Sequence, residues 1–194
     1  INLRDVYEQQ EIKIRSHNLI NRCFIIKLCR IPIKKYNNMK KSKILVVYYS
    51  RTGNTRKVAE EMAGNLKADL CGIKAKSDYR GFFGYIRAGY QAVLNKKPEI
   101  RIDKNTGNYD MIIIGTPNWG SRMASPVRTF VLSREFNKLK IAFFCCQGGS
   151  GAEKLLDRME KLTKKPVAKF FVNQRDIKDN SYKNKVKEFC GRLG

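Results

Sequence analysis

A run of small polar residues between positions 50 and 55 is the part of this sequence best suited to bind a ligand. It reads Ser-Arg-Thr-Gly-Asn-Thr, so the hydroxyl groups of Ser50, Thr52 and Thr55 bracket one glycine, Gly53. A glycine lets the chain turn tightly with its N–H groups exposed, and hydroxyl and amide side chains cap the start of a helix. The hydroxyls and backbone amides of this run can therefore converge on one anion, such as a phosphate.

The residues on either side of this run predict the elements that hold it. Leu45 to Tyr49 is a continuous apolar and aromatic run, which is typical of a strand buried on both faces in a parallel sheet. A helix is predicted from about Asn54 to Leu66, with Val58 and Met62 on one face. The positive end of its dipole points at the polar run and favours an anion there. The alternative is a strand-to-helix turn that binds nothing.

Two further loops are predicted at the same edge of the sheet. Asp110 to Gly115 and Lys140 to Cys146 have the pattern of buried strands, and each is followed by turn residues. In open parallel sheets, ligands bind beyond the carboxyl ends of the strands, where the strand order reverses. Trp119, the one tryptophan of the chain, falls in the first of these loops. We expect it to stack on a flat aromatic ligand, the alternative being an indole folded under its own loop.

Shorter patterns predict the remaining elements. Apolar runs indicate strands at Ala68 to Ile73 and at Pro166 to Val172. Ser125 is the predicted N-cap of one helix, Ser150 forms a predicted capping box with Glu153 at the start of another, and a last helix begins at about residue 181.

The segment from Asp78 to Lys97 carries apolar residues at helical spacing and predicts a helix of about four turns. They are Phe82, Phe83, Ile86, Tyr90, Val93 and Leu94. Such a stripe packs into the core by default. The alternative is a segment that overhangs a site.

Strands and helices alternate five times from Met39 onward, which predicts a three-layer α/β domain with a five-stranded parallel sheet in the order 2-1-3-4-5. This part of the sequence also resembles flavodoxin-like FMN proteins. The resemblance rests on three motifs, SRTGNT after the first strand, GTPNWG after the third and CCQGGSG after the fourth. It implies a doubly wound flavodoxin-like sheet and bound FMN.

By that resemblance, the run from Ser50 to Thr55 holds the FMN phosphate and the other two loops hold its ring. The implied cofactor-binding residues are Ser50, Arg51, Thr52, Gly53, Asn54, Thr55, Thr116, Pro117, Asn118, Trp119, Gly120, Cys146, Gln147, Gly148, Gly149 and Gly151. FMN is expected rather than FAD, because one phosphate cradle is visible and nothing resembles an adenylate site. No side chain there resembles a general acid or base, so no catalytic residue and no metal ligand is predicted.

The resemblance allows two functions. One is an electron-transfer flavoprotein that passes electrons between redox partners through bound flavin, and this is the function we expect. The other is an NAD(P)H-dependent FMN/quinone oxidoreductase, because Gly120 to Pro126 is similar to a loop of such reductases. Many flavodoxins have a tyrosine after the fourth strand, where this chain has Gln147 and glycines.

The charge departs from that family, whose members are acidic. With 40 Lys and Arg against 17 Asp and Glu, the net charge is +23. Such a surplus favours nucleic acid, anionic lipid or an acidic protein as partner, and a biased genome composition is the alternative cause. No nucleic-acid-binding motif accompanies it, so we expect an acidic redox protein, or else NAD(P)H with a quinone-like acceptor. Arg51 and Arg122 are expected to bring this charge to the flavin.

Cysteine usage and hydropathy favour a cytoplasmic protein without a membrane span. The six cysteines include no CxxC pair, so neither a zinc site nor a disulfide framework is indicated. No apolar run approaches the roughly 20 residues of a membrane span. One domain is expected over residues 39–194, with Met39 as the natural start of translation. Residues 1–38 are then an extension, or alternatively a basic amphipathic segment at a membrane surface.

Overall fold

Seven strands and six α-helices are present in a computed structural model of the protein, counted over the residues that it describes, 42–76, 79 and 81–193. The predicted extension 1–38 and the start at Met39 lie outside these residues. The strands are β1 (Ile44–Tyr48), β2 (Asp69–Gly72), β3 (Lys74–Ala75), β4 (Ile100–Arg101), β5 (Met111–Pro117), β6 (Lys140–Gln147) and β7 (Ala168–Asn173). The helices are α1 (Asn54–Leu66), α2 (Gly81–Val93), α3 (Ser125–Leu132), α4 (Ala152–Leu162), α5 (Gln174–Lys178) and α6 (Tyr182–Gly191).

Five of the strands form one parallel sheet in the order β2-β1-β5-β6-β7. Strand β1 is an interior strand of the sheet and pairs with both β2 and β5, in a register that sets Leu45 opposite Ile112 and Val47 opposite Ile114. Because Leu45, Val46 and Val47 are all fully buried, β1 is covered on both faces. The predicted α/β fold with a five-stranded parallel sheet is therefore confirmed.

Two hydrophobic cores are built from alternating residues of the same strands, since successive side chains of a strand point to opposite faces. One core joins Leu45 and Val47 of β1 to apolar residues of α3 and α4, such as Val127 and Leu155. The other joins Val46 to α1 and α6 through residues such as Val58, Met62 and Phe189. The burial of Val58 and Met62 agrees with the apolar face predicted for α1.

The stripe predicted between Asp78 and Lys97 is not in the core. The helix forms as α2, but Phe83, Ile86, Tyr90, Val93 and Leu94 are all exposed, and the side chain of Phe82 lies outside the described residues. The buried positions are instead the small ones, Gly84, Ala88 and Ala92. A Cβ atom on Gly84 would collide with the backbone of Tyr79. Helix α2 therefore packs too closely against Tyr79 to allow a residue larger than glycine at position 84.

The two predicted serine caps are wrong. Ala124 is the N-cap of α3, because its N–H donates to Thr116 Oγ1 at 3.0 Å and fixes the chain one residue before Ser125. Gly151 is the N-cap of α4, so the capping box predicted for Ser150 is not formed. There the Ala152 N–H donates to Gln147 Oε1 at 3.0 Å.

Four short elements were not predicted, one of them a 3-10 helix at Thr106–Asn108. Strands β3 and β4 pair antiparallel beside the main sheet, and α5 follows β7 directly. Over the residues described, none of the helices is both long and apolar enough to cross a membrane.

Candidate functional site

The loops that leave the carboxyl ends of β1, β5 and β6 meet around a cleft of about 330 Å³. The cleft is lined by Arg51, Thr52, Asn54, Thr55, Pro117, Asn118, Trp119, Cys146, Gln147, Gly148, Gln174 and Ile177. All of these except Gln174 and Ile177 are among the residues predicted from the sequence. The strand order explains the meeting, because β1 and β5 are neighbours in the sheet although α1, β2, α2 and the short β3–β4 pair separate them in the chain.

The polar run forms one end of the cleft and is shaped by Gly53. This residue has a φ of 94°, in the left-handed region that favours glycine, and its N–H donates to Ser50 Oγ at 3.1 Å. Ser50 therefore closes the turn, and both residues line a separate concavity outside the cleft. No side chain caps α1, which leaves the amides of its first turn available to an anion at the cleft end.

Thr55 and Cys146 form the floor between the first and third loops. Both side chains are buried. Burial raises the pKa of the Cys146 thiol to about 12, although the Thr55 hydroxyl acts in the opposite direction. Burial also raises the pKa of Cys145 well above its ordinary value. Both thiols are thus protonated near neutral pH and are poor nucleophiles.

Trp119 forms another wall. Its ring is half-buried and packs edge-on against Tyr49, with centroids 5.8 Å apart, and at a tilt against Tyr79 at 5.4 Å. Its backbone N–H donates to Arg122 O at 2.9 Å, and the Arg122 N–H donates back to Trp119 O at 3.2 Å. The turn and two tyrosines from other segments therefore fix the indole.

A hydrogen-bond network centred on Gln147 ties the cleft loops together. The buried Gln147 accepts from Asn118 Nδ2 at 3.3 Å and donates from Nε2 to Asn173 Oδ1 at 3.0 Å. Asn118 Nδ2 also donates to Ser150 O at 2.8 Å. Gln147 thus braces the ends of β5, β6 and β7.

One buried acceptor in this network is left without a partner. Asn118 Oδ1 is buried and makes no hydrogen bond within the described part of the chain. Leaving such a group unpaired costs about 1–3 kcal/mol, so a donor on a ligand would stabilise it. The N–H of a flavin ring is such a donor, and the uncapped first turn of α1 together with the Thr52 hydroxyl suits a phosphate. The residues of the cleft therefore fit FMN.

Some predicted residues do not line the cleft. Thr116 is buried beneath it, where its hydroxyl accepts from the Ala124 N–H and donates to Pro117 O at 2.9 Å. Gly120, Gly149 and Gly151 are also not among the lining residues. Arg122 does not line it either, and its Nη1 donates to Asn95 Oδ1 at 3.5 Å.

Gln174 and Ile177 were missed because α5 was not predicted. Asn173 and Asp176 form a capping box at its start, with the Asn173 N–H donating to Asp176 Oδ2 at 3.1 Å. The Asn and Asp three residues apart are a helix-start signal that could have located them. In the described residues, no group of His, Cys, Asp or Glu side chains is arranged to hold a metal ion.

The sheet topology and the cleft define an α/β protein whose candidate ligand site lies at the carboxyl edge of a parallel sheet. Residues 43–191 match the model of the flavodoxin family, and the chain belongs to that family.

Solved structures agree with this assignment. A flavoprotein of Lactobacillus acidophilus NCFM, in complex with FMN, is 25% identical with a TM-score of 0.60, over 72% of this chain and 99% of that one. A protein of Bacteroides uniformis ATCC 8492 shares the fold with a TM-score of 0.63 at 19% identity, over 76% of this chain and 97% of that one.

A curated relative matches part of the chain. It is an NAD(P)H dehydrogenase (quinone) of Cupriavidus metallidurans, 27% identical over 90 residues, which are 46% of this chain and 45% of the relative. The match therefore spans less than half the length of that enzyme.

Proposed function

We propose that this protein binds FMN and passes electrons between redox partners through the bound flavin. The observation that carries the proposal is one cleft that joins the uncapped start of α1, the unpaired Asn118 Oδ1 and the ring of Trp119. The FMN complex of the Lactobacillus acidophilus relative supports the choice of cofactor.

Each part of the cleft has a role in this proposal. The hydroxyls of Thr52 and Thr55 and the first amides of α1 would hold the phosphate, and the charge of Arg51 would favour it. Trp119 would contact the flavin ring, and Asn118 Oδ1 would accept a hydrogen bond from it. Bound FMN supplies the electron transfer. Gln147 holds the loops in place, and the protonated thiol of Cys146 adds no charge near the ring.

The architecture that we propose with this function is the doubly wound, three-layer flavodoxin-like fold, in which helices cover both faces of the sheet. The two cores on alternating strand residues support it. So does the strand order β2-β1-β5-β6-β7, which becomes 2-1-3-4-5 when only the strands of this sheet are numbered.

A second function is favoured by the match to the Cupriavidus metallidurans enzyme. In it, the same cleft serves an NAD(P)H-dependent FMN/quinone oxidoreductase. A carrier needs only an exposed edge of the flavin, whereas a reductase also needs room for NAD(P)H over the ring.

Steady-state assays of the FMN-loaded protein with NADH or NADPH and a soluble quinone distinguish the two functions. For the carrier we expect no turnover above that of an equal concentration of free FMN. Sustained turnover that saturates with NAD(P)H would contradict the carrier and support the reductase.

The carrier further requires a protein partner, which we propose to be acidic because of the net charge of +23. Its association should slow as salt is raised.

A further inference from the structure

Helix α2 presents a stripe of large apolar side chains to solvent. Ile86, Tyr90, Val93 and Leu94 recur at helical spacing, and their exposed fractions are 52%, 63%, 61% and 47%. We call these four residues the α2 face. Scattered exposed apolar residues are ordinary on a protein surface, but a stripe along one helix marks an interaction site.

The packing of α2 prevents the stripe from turning inward. The helix contacts the body through Gly84, Ala88 and Ala92, and a Cβ atom at Gly84 would already collide with the Tyr79 backbone. The buried Tyr79 also donates from its hydroxyl to Gln91 Oε1 at 2.6 Å. Rotation of α2 would break this hydrogen bond and place large side chains where only glycine and alanine fit.

The charges around the α2 face are positive. Arg87 is the one charged residue within α2, and Lys96 and Lys97 follow its carboxyl end. These three cations line a concavity of about 360 Å³ together with Tyr90, Gln91 and Pro98. Glu99, the acidic residue nearest in sequence to the α2 face, forms an ion pair with Lys76 at 3.0 Å.

We propose that the α2 face binds the surface of an anionic lipid bilayer, with α2 lying in the interface and not crossing it. Apolar and aromatic side chains on one side of a helix, flanked by lysine and arginine, suit the boundary between lipid headgroups and acyl chains. The cations complement the lipid phosphates, and the net charge of +23 adds to the attraction.

The other occupants fit less well. A second copy of the chain in a two-fold contact would place the same cations opposite one another. For an acidic protein, the α2 face offers one polar side-chain atom, the Tyr90 hydroxyl. It could therefore form few of the hydrogen bonds that a protein interface usually contains. The proposal goes beyond the flavin site and does not depend on it.

Flotation of the full chain with lipid vesicles tests the proposal. We expect binding to vesicles of phosphatidylcholine with phosphatidylglycerol, little binding to phosphatidylcholine alone, and release as salt is raised. Val93→Asp should reduce binding at least about tenfold, because it places a charge in the apolar contact. Val167→Asp is the matched control, since Val167 is 54% exposed and lies outside α2, just before β7. Circular dichroism confirms that both variants fold.

A second pair of variants tests the charge. Lys96→Gln with Lys97→Gln should weaken binding by roughly thirtyfold, at about 1 kcal/mol for each lysine near the surface. Lys183→Gln with Lys187→Gln removes the same charge from exposed positions on α6 and should change little.

Several results would overturn the proposal. Unchanged vesicle binding by Val93→Asp would place the lipid contact elsewhere in the chain. Failure of the full chain to bind either vesicle would exclude a lipid surface. If that failure came with a dimer that Val93→Asp dissociates, the occupant would be a second copy. If it came with salt-sensitive binding to an acidic protein that Val93→Asp abolishes, the occupant would be a protein.

Discussion

Helices α1 and α4 begin in the same way but leave different groups available at the cleft. Each follows a strand of the sheet, and each has as its N-cap a glycine with positive φ, 94° for Gly53 and 92° for Gly151, which has no side chain with which to cap the helix. At α4, however, Gln147 Oε1 accepts the Ala152 N–H, and Gly151 packs against Ser121. At α1 a Cβ atom on Gly53 would meet nothing within 4 Å.

The comparison teaches that a glycine-rich turn does not by itself make an anion site. What matters is whether the first amides of the helix already have acceptors. By that criterion the start of α1 is the proposed phosphate site, and the start of α4 is a structural joint between the loops after β5 and β6.

The largest expected effect is the loss of FMN affinity in a variant of the first loop. Thr52→Val with Thr55→Val keeps the side-chain shapes and removes two hydroxyls, and each hydrogen bond lost to a charged group costs about 1.5–3 kcal/mol. Flavin titration by fluorescence measures the change. Ser150→Ala, in the loop after β6, is the control and should leave the affinity unchanged. Equal effects at the two loops would remove the distinction between them.

The reverse contrast is expected for stability. Gly151→Ala places a Cβ atom against Ser121 and also imposes a left-handed backbone on alanine, which together should lower the free energy of unfolding by about 2–4 kcal/mol. Gly53→Ala has the same backbone penalty without the collision and should cost about 1–2 kcal/mol. Urea denaturation of the apoproteins compares them. A larger loss at Gly53 would show that the first loop is the structural joint.

Trp119 lies between the two loops, and its predicted effect is smaller. Adding FMN to the apoprotein should quench its fluorescence, and Trp119→Ala should lose on the order of 1 kcal/mol of FMN affinity from stacking and burial. An indole emission indifferent to flavin would mean that the ring does not contact the ligand.

The smallest expected effect is a pH dependence of the free energy of unfolding, which arises from Cys146 in the floor of the cleft. The pKa of Cys146 is raised to about 12 in the folded protein, from 9.0 in the unfolded chain. The folded state therefore retains the proton longer, and the stability that it contributes is present below pH 9 and is lost as the pH rises toward 12. Between pH 9 and 10 the free energy of unfolding should fall by up to about 1 kcal/mol. Cys146→Ala should show a shallower fall, and an identical fall would assign the effect to other groups.

The sequence predicted those features that depend on neighbouring residues. Helix α1 has the predicted bounds, Asn54–Leu66, because its apolar spacing continues without a break and Gly53 marks its start. The polar run and Trp119 were predicted to share a site because parallel strands end at one edge of the sheet, and four residues of that run line one cleft together with Trp119.

The features that were missed depend on residues distant in the sequence. Thr116 and Gln147 supply the hydrogen bonds that displace the predicted serine caps at 125 and 150. Periodicity located the apolar stripe of α2 but not the side that faces the body, which the close approach of Tyr79 to Gly84 decides. With five residues, α5 is too short for a periodic pattern.

Paired titrations of the apoprotein with FMN and with riboflavin, which lacks the phosphate, test the central claim most directly. The account predicts that FMN binds much more tightly, and that Thr52→Val with Thr55→Val removes most of this preference while leaving riboflavin binding unchanged. Equal affinities for FMN and riboflavin, or a preference that survives in the double variant, would show that the start of α1 is not the phosphate site.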